Sequence, residues 1–424
     1  MTVFEKLIEP LQDILDEIEG TRHKHHNEVL SWRQFIIVLI YHFTVGSDSR
    51  NTLVVKLAQA DPRLKLPKLA SATISDAFRR FDKRLAQTAF KRLLSRLEVP
   101  EIPEIELLGT VILVDGSYFR FRHLAFWQNK RVQGVKLHMQ LHLNRMVVAD
   151  FAVDSKNSSE RKHFVGMLHA GAIFVADRGF MSYDLLRQAL ACEAFVVIRA
   201  TKSLVTTTTQ SLAVEVPREL QHLWQNVRDS RVISAHKDAK GLEFRLVEFS
   251  IGLTTYKLIT NHFGLTTYEV ILLYAYRWQV EIVFRFLKRT MNGLQLITEC
   301  QHGIQTFFSV LFITALLHLQ FKFDCLTDEG LLASPVPSTP PPAPPIILAA
   351  TSAQGAQPTA CSGIKKGKVS FLGYLNNFTK LWRIPKHWLT TLADNLHRTF
   401  DHAVVSALNK QVLLPKLINS LTHP

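Results

Sequence analysis

The chain is poor in cysteine. It has four in 424 residues (Cys192, Cys300, Cys325 and Cys361), with no C-x-x-C pair among them. That scatter argues against a zinc site or a disulfide framework and makes a reducing cytoplasm the expected compartment. Acidic residues are also short: 36 Asp and Glu face 50 Lys and Arg, giving a formal net charge of +14 and a pI near 9.6. Such a balance favours a polyanionic partner, either nucleic acid or a membrane surface. The opening MTVFEKLIEPLQDILDEIEG is broken by acids and carries no uninterrupted apolar core, so no signal peptide is expected. A single run, 304–323, is nearly long enough to cross a bilayer. Gln305, Thr306, Ser309, Thr314, His318 and Gln320 interrupt it, and a buried helix of an α/β core is the expected reading, with no membrane partner. Hydrophobic residues, at 47%, are ample for a large core plus one or two smaller domains.

The chemistry concentrates in YAYRWQVEIVFRFLK. There Tyr274, Arg277, Glu281 and Lys288 follow one another at spacings of three, four and seven. On a continuous helix these spacings bring all four side chains within roughly 60°. Trp278, Ile282, Val283, Phe286 and Leu287 point elsewhere and can pack. A carboxylate between an arginine and a lysine can hold a metal ion while its neighbours grip phosphate oxygens. Taken alone, the run reads more simply as an amphipathic helix with an i,i+4 Arg–Glu pair.

Two aspartates upstream change that balance. Asp115 closes the apolar run Val111-Ile112-Leu113-Val114 and precedes Gly116-Ser117. Asp177 closes Ala172-Ile173-Phe174-Val175-Ala176 and precedes Arg178-Gly179. Each run has the composition of a strand buried on both faces, ended by an acid and a turn-permissive glycine. Strand-end aspartates commonly serve as turn or cap residues. In open α/β sheets, however, functional groups gather beyond the carboxyl ends of strands. Two such acids and a helix glutamate could bind two divalent cations about 3.5–4 Å apart.

The segment LITNHFGLTTYEVILLYAYRWQVEIVFRFLKRTMNGLQL resembles the signature region of DDE transposases of the insertion-sequence-four family. That family places its third catalytic acid in a Y-(2)-R-(3)-E-(6)-K motif, which Tyr274, Arg277, Glu281 and Lys288 match at every position. ILVDGSYF and IFVADRGFMSYDLL resemble the stretches around its first and second aspartates. The resemblance covers roughly residues 105 to 320. It implies catalytic, metal-binding Asp115, Asp177 and Glu281, and DNA- or phosphate-binding Tyr274, Arg277 and Lys288. The all-carboxylate set suits two Mg²⁺ ions per site, with Mn²⁺ able to substitute.

The expected architecture is α/β: a ribonuclease-H-like mixed-sheet catalytic core with a β-rich insertion, preceded by an all-α N-terminal domain. Residues 1–100 read as helical and DNA-binding. Ser31 caps an apolar helix running to about Val45, and residues 71–81 resemble a turn into a basic helix, as in helix-turn-helix modules. His23, His25 and His26 read as surface residues. Residues 105–325 form the catalytic domain. Its first half runs β-β-β-α-β-α-β, with helices over about 159–169 and 183–190, a strand at 194–198, and the Asp115 and Asp177 strands as neighbours. His138 and His142 share one strand face and suit phosphate contacts or edge solvation better than metal. The insertion spans about 201–262, where Trp224 and Tyr256 could stack a displaced base but more simply pack. Residues 327–365 read as a Pro-rich, low-complexity linker and 369–424 as a helical C-terminal segment.

The function implied is a cut-and-paste transposase that binds terminal inverted repeats of double-stranded DNA, excises the element through a hairpin end and joins it to target DNA. A homodimer in the DNA complex and a cytoplasmic, nucleoid-associated location go with it. Two other readings are a ribonuclease-H-fold nuclease that cuts without joining, and a domesticated, non-catalytic DNA-binding protein. An idle cluster of like charges is costly, which argues against the latter.

Overall fold

The computed structural model of the chain describes residues 2–328, apart from 25, 27, 100–102, 128–129, 156–159, 202–203, 217–223, 237–238, 252–253 and 291–295. The expected linker beyond residue 328 and the expected helical segment at 369–424 lie outside the described residues.

Helices occupy the N-terminal part: α1 (Val3–Ile8), α2 (Gln12–Thr21), α3 (Trp32–Val45), α4 (Arg50–Ala58), α5 (Ser71–Arg80), α6 (Lys83–Arg96) and the short α7 (Pro103–Glu106). Their ends follow local chemistry. Ser31 and Gln34 form a capping box at the start of α3, and Gly46, at φ 64°, ends it in the left-handed conformation that costs glycine least. The turn expected at Ser71 is instead already helix, because extended Ala70 fills the N-cap position.

From residue 111 the elements run β1 (Val111–Trp127), β2 (Lys130–His142), β3 (Val147–Ser155), α8 (Glu160–Val165), β4 (Ile173–Ala176), α9 (Tyr183–Ala191) and β5 (Phe195–Arg199). This is the expected β-β-β-α-β-α-β order. The helix expected to reach residue 169 stops at Val165, where turns close on Phe164 and Val165 and lead to left-handed Gly171. Then come β6 (Thr206–Ser211), β7 (Gln225–Ser234), β8 (Glu243–Ile251) and β9 (Thr254–Thr260). Among the described residues, nine strands form one mixed sheet in the order β3-β2-β1-β4-β5-β9-β8-β7-β6. The β-rich stretch thus continues the core sheet, because β9 pairs antiparallel with β5.

Strand alternation divides the sheet into two faces. Ile112, Val114, Phe174, Ala176, Val196 and Ile198 belong to one buried cluster, shared with Leu185 and Leu186 of α9. Val111, Leu113, Ile173, Val175 and Val197 belong to the other. That second face is covered by α10 (Thr267–Tyr276), α11 (Trp278–Arg285) and α12 (Gln301–Asp328).

The apolar helix α12 is a central strut. Residues Gln301–Phe321 are long and apolar enough to cross a membrane, and the most apolar part of that stretch is 78% buried within the protein. Phe307 meets Phe43 of α3 at 4.9 Å, and Phe308 meets Phe119 of β1 at 4.9 Å. Phe312 meets Phe151 of β3 at 4.6 Å and Phe90 of α6 at 6.0 Å. Phenylalanines on both sides of α12 thereby weld the N-terminal helices to the sheet in one continuous apolar cluster.

Candidate active site

Parallel pairing sets the position of both aspartates. Val114 of β1 stands opposite Ala176 of β4, so Asp115 and Asp177, the next residues on each, are level on adjacent strands. The expectation that Asp115 ends its strand is corrected. β1 runs on to Trp127, pairing Gly116 with His138 and Ser117 with Leu137 of β2. What ends at Val114 is the pairing with β4, because β4 is only four residues long. Asp115 therefore sits where a short central strand stops beside a long one. By alternation, Asp115, Ser117 and Asp177 follow Leu113 and Val175 onto the face that carries α10 and α11.

The signature residues arrive from that helical layer, but not on one uniform helix. The Thr266–Glu269 capping box starts α10, Arg277 occupies the junction with α11, and Phe286–Thr290 form a π-helical turn. A π turn changes the angular step, so Lys288 leaves the expected stripe. Tertiary contact replaces the stripe in assembling the site. The Tyr274 hydroxyl donates to Asp177 Oδ1 at 3.0 Å. Arg277 Nη2 donates to Glu281 Oε1 at 2.9 Å. Lys288 Nζ donates to Ser117 Oγ at 2.6 Å and to the Tyr118 carbonyl at 3.1 Å, and lies 4.7 Å from the Phe119 ring centre. All six expected residues thus lie around the place where the β1–β4 pairing ends.

The electrostatics separate the two acids that flank Arg277. Burial works to raise Asp177, but the Arg178 amide, the Arg277 charge, the Tyr274 hydroxyl and the Arg199 charge hold it below the usual carboxylate range. Burial raises Glu281, opposed by Arg277 and reinforced by the negative charge of Asp177. Burial and the neighbouring Asp177 push the Tyr274 phenol up to about 12, so it remains a neutral donor. Burial lowers Lys288 against the opposing pull of Asp115. Arg277 has a buried Nε–H with no acceptor among the described residues.

Among the described residues, no three His, Cys, Asp or Glu side chains gather closely enough to hold a metal ion. Glu281 is turned onto Arg277 and Tyr274 occupies Asp177, so the three acids are neighbours without forming a closed cage. Their donor chemistry, carboxylate oxygen throughout, fits a hard divalent cation.

Other expected candidates lie elsewhere. His138, only 2% exposed, alternates onto the opposite sheet face and stacks on His163 of α8 at 4.6 Å, so edge solvation is excluded for it. His142 shares that face. Trp224 is buried near Tyr268, and Tyr256 stacks on Phe249 at 5.1 Å, so both pack within the protein. His25 lies outside the described residues. Sequence reasoning passed over Arg199, whose place beside Asp177 depends on strand pairing. The only signal for it was a charged residue ending an apolar run.

The mixed sheet thus brings two acids level on adjacent parallel strands, beneath a helical layer that carries Tyr274, Arg277, Glu281 and Lys288. The Transposase DDE domain model matches residues 106–317, half of the chain, and the chain belongs to that family. Transposases of this family use divalent metal ions. The chain is also similar to "Putative transposase y4zB" of Sinorhizobium fredii, 20% identical over 223 residues, covering 51% of this chain and 62% of that protein. Among solved structures, Endonuclease V from Bacillus subtilis aligns at 12% identity over 46% of this chain and 82% of that one. Its TM-score is 0.20, too low to bear on the fold.

Proposed function

We propose that the chain is a cut-and-paste DNA transposase of the insertion-sequence-four type, built on a ribonuclease-H-like core, that cleaves transposon ends and transfers them to target DNA. The carrying observation is the meeting of the helical signature with the two strand acids: Tyr274 on Asp177, and Lys288 on Ser117 two residues from Asp115. The element order of residues 111–199 and the adjacency of β1 and β4 support the core assignment.

Asp115, Asp177 and Glu281 would hold two Mg²⁺ ions, with Mn²⁺ as a substitute. When bound, such ions supply an activated water or 3′-hydroxyl and stabilise the leaving 3′-oxygen. The chain's own groups do the rest. Tyr274, kept neutral, orients Asp177 through its single hydroxyl proton, which would turn to a phosphate only by leaving that carboxylate. Arg277 holds Glu281, and its charge beside Asp177 would attract a phosphate to the site. Lys288 presents its ammonium beside β1, where the scissile phosphate would lie over Asp115. These cations would also steady a distorted, hairpinned DNA end. The excess of basic residues favours double-stranded DNA as partner, and we place sequence-specific end recognition in residues 1–100. A homodimer acting at two DNA ends, in the nucleoid-associated cytoplasm, completes the proposal.

The test is cleavage of end-labelled DNA in Mg²⁺ by Asp115→Asn, Asp177→Asn and Glu281→Gln. Each should lose about 10²–10³-fold or more in rate while still binding end DNA. A folded variant with near-normal turnover would remove that residue from the proposal.

A further inference from the structure

Arg199 is the last residue of β5. Ile198 pairs with Ala176 of β4, so Arg199 stands level with Asp177, one strand further from Asp115. Following Val197, it alternates onto the face of α10 and α11. The row across the sheet therefore reads Asp115, Asp177, Arg199, spanning about 10 Å over three strands.

Three features set this arginine apart. It is partly exposed in a row of strand-end groups whose preceding residues are fully buried. Among the described residues its guanidinium has no ion pair and no side-chain hydrogen bond, whereas Arg277 pairs with Glu281 and Arg245 with Asp229. And it is not loose: its Cζ lies 4.7 Å from the ring centre of Tyr256, which is itself stacked on Phe249 within 9° of parallel. A guanidinium placed over an aromatic ring has lost rotamer freedom, while the cation–π contact uses none of its five N–H donors. Its charge reaches both Asp177 and Tyr274. Lys288, at β1, stands on the other side of the acids.

We propose that Arg199, pre-oriented by Tyr256, is a DNA-binding residue of the active site that grips a backbone phosphate on the β5 side of Asp177, opposite Lys288. Cations would then flank the acids on both sides, so a DNA strand crossing the strand ends is fixed at two phosphates with the scissile bond between them. The inference rests on the transposase reading. A planar, bidentate donor set in this place suits phosphate oxygens better than a base edge.

The experiment measures the affinity of the full-length protein for transposon-end duplex over a series of salt concentrations, in Ca²⁺. The proteins are wild type, Arg199→Ala, Arg199→Lys, Tyr256→Phe and Tyr256→Leu. Cleavage in Mg²⁺ by wild type and Arg199→Ala is followed separately across a range of pH. Arg199→Ala should weaken binding roughly ten-fold and reduce the slope of log affinity against log salt by about 0.9, the signature of one lost phosphate contact. Arg199→Lys should keep the slope and lose part of the affinity, since a point charge replaces a fork. Tyr256→Phe should match wild type, and Tyr256→Leu should fall between wild type and Arg199→Ala. An unchanged salt slope in Arg199→Ala overturns the proposal. If cleavage drops with a shifted pH profile at that unchanged slope, Arg199 serves only as a charge partner of Asp177. Absence of Mg²⁺-dependent cleavage by the wild type would instead refute the transposase reading, whatever the slopes.

Discussion

Removing Asp229 should destabilise the protein far more than an ordinary surface substitution, because it would strand a buried cation. Asp229 of β7 and Arg245 of β8 have side chains 0% and 4% exposed. The carboxylate accepts from Arg245 Nε at 2.9 Å, from Arg245 Nη2 at 2.5 Å and from Thr267 Oγ1 at 2.7 Å. Arg245 also donates to the carbonyl of Leu265, and Thr267 is the first residue of α10. One buried cluster thus ties two strands of the β-rich stretch to the start of the helix that carries Tyr274. Asp229→Ala leaves the guanidinium desolvated and without its counter-charge, a loss of about 3–5 kcal/mol. Replacing both partners by apolar side chains, Asp229→Leu with Arg245→Met, leaves no buried charge and should cost well under the sum of the two single changes. Urea unfolding of wild type, Asp229→Leu, Arg245→Met and the double variant, followed by circular dichroism, closes the double-mutant cycle, with Asp229→Ala measured beside it. A loss under about 1 kcal/mol for Asp229→Ala, or strict additivity in the double variant, would refute the reasoning.

Arg277→Ala and Lys288→Ala should leave first-strand nicking partly intact and depress hairpin formation or resolution more severely, since neither side chain need hold metal. A time course on a denaturing gel separates nicked, hairpin and fully cut DNA, and equal loss of all three would assign these residues to ground-state binding. His42 supplies a pH prediction. Fully buried, and beside the Lys56 charge, it is held down at about 3 while its Nδ1 meets Ser47 Oγ at 2.5 Å. The unfolded chain takes up a proton near pH 6.5 that the folded chain refuses. This contribution is therefore fully present above pH 6.5 and is lost as pH falls toward 3, at about 1.4 kcal/mol per pH unit. By pH 5 the loss is about 2 kcal/mol. His42→Asn should flatten that part of the stability–pH curve, and an identical acid slope in the variant would count against it.

Much of the local structure was legible from residue order. Ser31 with Gln34 and Thr266 with Glu269 announce helix starts, because an N-cap hydroxyl and a returning side chain satisfy orphan amides nearby in sequence. The apolar runs before Asp115 and Asp177, and the alternation of 136–143, are short-range patterns that specify strands wherever they are placed. The six candidate site residues were marked by the same locality, two acids closing apolar runs and a motif within fifteen residues, and their roles came from the resemblance to a family signature.

Tertiary structure decided what those patterns could not carry. Apolar content and length leave 301–321 open to a membrane or a core, and only the phenylalanines of α3, α6, β1 and β3 around it make it the core. Arg199 enters the site because β5 pairs with β4, a register that joins residues 22 positions apart. The stripe expected of Tyr274 to Lys288 assumes an unbroken α-helix, whereas the π turn at 286–290 re-aims Lys288 onto Ser117, 171 residues away. Periodicity reports which face of an element is apolar. It does not report which element will cover that face, and here that choice of neighbours, set by packing and strand register, builds the site.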